Sequence, residues 1–108
     1  MENFEQRWLD TENMLRERFE KTPDMEGILF LIGVNELGTL PRKKFSKEQK
    51  QDLMHIAVCT LLSQLGYYVF LGRDEENWPH FEEIKLMPVS GIKEQEQLLK
   101  ECIVRYFE

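Results

Sequence analysis

The sequence predicts a mainly α protein: four helices in a compact arrangement, with one minor β-hairpin between helices three and four. Three observations predict it. The stretch from Ser46 to Gly66, SKEQKQDLMHIAVCTLLSQLG, is apolar around nearly its whole circumference, the pattern of a helix covered by neighbours on several sides. Further segments of helical length precede and follow it, each with its own start or stop signals. Directly after Gly66 the chain turns aromatic and β-branched, Tyr67-Tyr68-Val69-Phe70-Leu71, which suits a strand and not a fifth helix.

Residues 3–21 place Phe4, Trp8, Leu15 and Phe19 on one stripe, with Thr11 continuing it. Lys21 falls in the last turn, where a cation suits the helix dipole. Thr22-Pro23-Asp24-Met25-Glu26 reads as a second start: Thr22 as cap, Pro23 in the first helical position, Asp24 and Glu26 at the positive end. The GILFLIGVNELG that follows has strand-like composition. Its start signal and its length to the closing Gly38 make it a helix. Gly27 and Gly33 weaken it by about 1 kcal/mol each relative to Ala, and a glycine here allows close approach of the central helix.

Residues 39–45, TLPRKKF, form a loop broken by Pro41. Ser46 then caps the central helix, Gln49 three residues on completes a capping box, and Phe45 offers a weak staple. Gly66 suits the left-handed residue that closes a helix. Residues 72–77, GRDEEN, are a turn in which Asn77 is the non-glycine residue best suited to positive φ. His80 to Leu86 makes the second strand. A hairpin alone is marginal in water, so it must lean on a helix. Pro88 ends it. Ser90 or Gly91 starts the last helix, whose apolar face is Leu98, Leu99, Cys102, Ile103, Tyr106 and Phe107.

With 108 residues, 42% of them hydrophobic and 31% charged, the chain suits a single folded domain, 1–108. No apolar run approaches the ~18 residues of a membrane span. The acidic, amphipathic start lacks the basic and apolar regions of a secretory signal. Cys59 and Cys102 both fall in apolar helical pattern and read as buried thiols of a cytoplasmic protein. The net charge of −6 is uneven: residues 38–66 carry five bases against two acids, while both flanks are acidic. That acidity argues against general nucleic-acid binding. The sequence holds no nucleotide-binding glycine loop, zinc-finger spacing or Gly-x-Ser-x-Gly elbow, and it implies no cofactor.

The pieces IGVNELG, FSKEQKQDLMHIAVCTLL, GYY, DEENWPHFE and KEQEQLLKECIVRYF together resemble small uncharacterised proteins of bacteria of the Bacteroidetes group. The likeness spans about two thirds of the chain. It implies a bacterial cytosolic protein, and glycine in place of Asn77 in those relatives would agree with the turn. It implies no activity, and no catalytic or binding residue carries over from it.

Three patches are candidates for function. Asp52, His55, Cys59 and Ser63 form one polar stripe on the central helix. His55 and Cys59 are the parts of a thiol with its base, or two soft-metal ligands at i, i+4. A mid-helix cysteine, however, is more often core, and reactive thiols favour helix starts. Residues 73–80, RDEENWPH, combine Arg73, three acids, Trp78 and His80. Such a loop suits partner binding, with Trp and Arg the usual anchors; the plain alternative is that Trp78-Pro79 fixes a long turn on the core. Arg42, Lys43, Lys44, Lys47 and Lys50 gather at the start of the central helix, where a phosphate or acidic group can dock, or where lysines merely solvate a loop. The leading expectation is a non-enzymatic domain that binds a protein partner or a second copy of itself, through Arg73, Trp78 and His80. Metal or thiol chemistry at His55 and Cys59, and anion docking on the basic segment, are the alternatives.

Overall fold

A computed structural model describes residues 3–19, 23–38, 44–86 and 91–108. Its elements follow the order α1 (Phe4–Phe19), α2 (Met25–Leu37), α3 (Lys47–Ser63), β1 (Tyr68–Arg73), β2 (Pro79–Glu83) and α4 (Ile92–Phe107). The protein is thus mainly α, with an antiparallel two-stranded hairpin between the third and fourth helices, as its sequence predicts. No helix among the described residues is long and apolar enough to cross a membrane.

The chain divides into two compact units. The first pairs α1 with α4. Thr11 and Leu15 of α1 are buried, and the Thr11 hydroxyl donates to the Arg7 carbonyl 3.0 Å away, which satisfies it. Cys102, Ile103 and Val104 of α4 are buried as well; Val104 stands outside the face that periodicity selects. The start of α1 meets the end of α4, where Arg7 holds Glu108 through Nε at 2.9 Å and Nη2 at 2.5 Å. Lys100 lies 5.4 Å from the centroid of the Trp8 ring. Gly91 caps α4 with no side-chain bond.

The second unit holds α2, α3 and the hairpin. α2 begins at Met25, so Pro23 and Asp24 precede the helix instead of opening it. Gly38, at φ 81°, closes it. The close approach of α2 to α3 is made at Gly33. A Cβ there would overlap the Leu53 carbonyl oxygen and sit 2.7 Å from the carbonyl carbon. Ser46 caps α3 in a complete capping box: its hydroxyl accepts from the Gln49 N–H at 3.1 Å, and its own N–H donates to Gln49 Oε1 at 2.9 Å. Phe45, just before the cap, packs edge-on to Phe30 at 5.9 Å and against the Leu37, Leu53 and Ile56 cluster. The helix ends at Ser63, and Gly66 follows at φ 83°.

In the hairpin, Tyr68 faces Glu83, Val69 faces Glu82 and Phe70 faces Phe81, with a bulge before Gly72. The second strand stops short of the predicted Leu86. Ile84 N–H still donates to the Tyr67 carbonyl, but the Tyr67 N–H is already bonded back to Leu62 at the end of α3. The first strand therefore has no residue left to pair with Leu86. Asn77 takes φ 71°, as the turn requires. Thr22, Lys21, Pro41, Pro88 and Ser90, to which the sequence gives capping, dipole and breaking roles, lie outside the described residues.

Candidate functional site

The Asp74 side chain builds the turn between the strands. Its Oδ1 accepts from the N–H groups of Glu76 at 2.9 Å and Trp78 at 3.0 Å, and its Oδ2 lies 2.8 Å from His80 Nε2. The His80 bond first, and the Trp78 amide second, hold the Asp74 carboxyl below the usual carboxylate range. Held this way, the turn lays Trp78 half-buried on Leu37, Leu53 and Ile56. Pro79 is buried as the first residue of β2, a position where a missing N–H is tolerated.

Seated there, the turn faces α3 across a cleft of about 470 Å³. Gln49, Asp52, His55, Ile56 and Cys59 line it from the helix; Asp74, Glu76, Trp78, Pro79, His80 and Phe81 line it from the hairpin. Two patches that lie some twenty residues apart in sequence are therefore walls of one site. Three carboxylates and two imidazoles surround a floor of Ile56, Trp78 and Phe81, and among the described residues no lysine or arginine lines the cleft.

Within it, the thiol and its neighbour are close but unactivated. Cys59 Sγ is 3.5 Å from His55 Nε2, and Cys59 is 3% exposed. Burial, with Glu83 adding to it, pushes the thiol from its ordinary 9.0 up to about 11. A nucleophilic cysteine needs the opposite shift. Asp52 and His55 are exposed, and among the described residues no hydrogen bond joins them, so the carboxylate does not orient the ring. Nor do the described residues assemble three or more His, Cys, Asp or Glu side chains into a metal-holding group; His80 is engaged by Asp74. Ser63, the last residue of the predicted stripe, donates to the Thr60 carbonyl at 2.6 Å and does not line the cleft.

Arg73 points elsewhere. Its guanidinium donates to the carbonyls of Glu36 at 2.6 Å, Leu37 at 3.2 Å and Asn77 at 2.9 Å. The first two belong to the last turn of α2, so Arg73 ties the hairpin to that helix and complements its dipole. Of the basic segment, Lys44, Lys47 and Lys50 are exposed at the start of α3, where the Ser46 hydroxyl takes the Gln49 N–H; Arg42 and Lys43 lie outside the described residues. The acidic wall formed by Asp52 with Glu76 is what sequence reasoning missed. Its signal was present in the two acids, but only the seating of Trp78 on α3 brings them to one rim.

No family model, curated protein or solved structure matches the chain.

Proposed function

We propose that this is a cytoplasmic, non-catalytic interaction module that receives a basic segment of a protein partner in the cleft between α3 and the hairpin turn. The observation that carries the reading is the lining: Asp52, Asp74 and Glu76 around an aromatic and aliphatic floor, with no lysine or arginine among the described lining residues. A lysine or arginine side chain suits such a site. Its stem packs on Trp78 and Ile56 while its head meets carboxylates at the rim. Trp78 supplies the rigid aromatic surface typical of interface anchors. The thiol, shifted to about 11, contributes packing and no chemistry.

The test uses the full chain, isotopically labelled, titrated with a ten-residue Lys/Arg-rich peptide and an acidic peptide of equal length. The basic peptide is expected to shift the amides of Gln49, His55 and Glu76 and the Trp78 indole, and to bind more weakly as salt rises. The double variant Asp52→Lys, Glu76→Lys, which changes exposed side chains only, is expected to lose that binding at least tenfold. Equal affinity for both peptides, or unchanged binding by the variant, refutes the reading.

A further inference from the structure

Apart from Leu9, every large hydrophobic residue that is exposed among the described residues belongs to the hairpin and its exit: Val69 at 41%, Phe70 at 52%, Leu71 at 60%, Ile84 at 56% and Leu86 at 80%. This clustering is independent of the cleft. Scattered exposed apolar residues are ordinary, but their concentration in one hairpin and its exit marks an interaction surface.

The two edges of the sheet differ. β2 begins with Pro79 and carries Glu82 and Glu83, the devices that keep an edge from pairing. β1 carries no charge from Tyr68 to Gly72 and is rich in strand-forming residues. The register shows which of its backbone groups are free. Ile84 N–H donates to the Tyr67 carbonyl, so residues 67 and 69 direct their backbone groups toward β2. Alternation then turns the N–H and C=O of Tyr68 and Phe70 away from β2. Among the described residues, no backbone bond joins those groups to another element.

We infer that β1 is the seam of a homodimer, in which the β1 strands of two copies pair antiparallel about a twofold axis at Val69 and make one four-stranded sheet. A second copy fits this edge for three reasons. The free groups of Tyr68 and Phe70 flank Val69 symmetrically, so each strand supplies both donors and both acceptors to Phe70 and Tyr68 of the other. No like charges face each other along the seam, although the chain as a whole carries −6. The exposed side chains of Val69, Phe70 and Leu71 on the seam strand itself give the pair apolar surface to cover beside its backbone bonds.

The seam makes a geometric demand. Val69 would face Val69 of the second copy as a non-hydrogen-bonded pair, with Cα atoms about 4.5 Å apart, within reach of a disulfide. The full chain should sediment at twice its 13.0 kDa at micromolar concentration. Val69→Cys should cross-link to a dimer on mild oxidation, while the parent, whose Cys59 and Cys102 are buried, should not. Leu71→Lys, at an exposed position of the bulge, should keep its helical circular dichroism and raise the dimer dissociation constant at least tenfold. Raising salt should tighten the dimer by screening like net charges, opposite to its effect on a basic peptide in the cleft. A monomer at a hundred micromolar, a dimer indifferent to Leu71→Lys, or a Val69→Cys chain that does not cross-link each overturns the inference. A Tyr68–Phe70 edge occupied only when another protein is added would assign the seam to that protein instead of a second copy, and would equally overturn it.

Discussion

The two helix pairs of this molecule are held in different ways. α2 and α3 approach until backbone meets backbone: Gly33 lies against the Leu53 carbonyl, and there is no room for a methyl group between them. α1 and α4 carry their own apolar stripes and meet through side chains, with the Arg7–Glu108 pair closing one end at the surface. The first kind of contact is all-or-none, because a peptide plane cannot yield as a side chain can. The second is graded, and its exposed ion pair adds little. The difference also separates function from scaffold, since the cleft stands on α3, the helix held by backbone contact, and the rigid side of the site is therefore its helix wall.

The sharpest way to break this contrast is Gly33→Ala. On propensity alone the change should stabilise α2 by about 1 kcal/mol. The clash with Leu53 predicts the reverse, a net loss of roughly 3 kcal/mol or more, because neither helix backbone can shift without disturbing the core around Leu53 and Ile56. Urea denaturation followed by far-ultraviolet circular dichroism decides the sign. A stabilised variant would mean that the helices do not approach at Gly33.

The two cysteines sharpen the comparison chemically. Burial raises both thiols; Glu83 adds to the rise at Cys59, whereas at Cys102 Arg105 opposes it and Glu101 adds to it. With Cys59 moved from 9.0 to about 11, its thiolate at pH 8 is about a hundredfold scarcer than that of an ordinary thiol. Native-state alkylation of Cys59 is expected to stay slow until pH rises toward 11, read by peptide mass mapping. The linkage has a definite sign. A folded-state value above the unfolded one leaves stability intact below pH 9 and removes it as pH rises toward 11, since only the unfolded chain ionises freely. Cys59→Ala should flatten that alkaline limb more than Cys102→Ala does. Labelling of Cys59 at the rate of an ordinary thiol at pH 8 would contradict its raised value.

What the sequence discloses and what it hides follow the same division between local and distant causes. The Ser46–Gln49 capping box, the positive φ of Asn77 and the closing Gly38 are legible because each is decided within four residues. Trp78 is legible as an anchor, but not its floor of Leu37, Leu53 and Ile56, which come from two other helices. Arg73 invites a partner-binding reading because nothing nearby in sequence shows that the end of α2, some 36 residues earlier, needs its guanidinium. The cleft is the clearest case. Asp52, His55 and Cys59 are visible as a stripe and Asp74 to His80 as a turn, yet their union depends on the register that carries Phe81 opposite Phe70 and onto α3. The bulge at Leu71, which lets the strand resume pairing at Gly72, leaves no mark in an aromatic and aliphatic run.

The smallest expected effect tests the other half of the contrast. Arg7 grips Glu108 with two bonds, and that grip holds the Glu108 carboxyl below the usual range. Geometry of this quality invites a large assignment of energy. Both side chains are substantially exposed, however, at 35% and 50%, so water and salt screen the pair. Arg7→Gln should therefore cost less than about 1 kcal/mol, and the loss should shrink further in high salt. Because Glu108 is held low when folded, its contribution is present above the unfolded carboxylate range and fades as pH falls through the folded value. Thermal denaturation at low and high ionic strength, at neutral and acid pH, measures all of this in one variant. A loss of several kcal/mol that salt does not reduce would mean that α1 and α4 depend on this pair rather than on Leu15, Ile103 and Val104, and the contrast between the two helix pairs would fail at its weaker end.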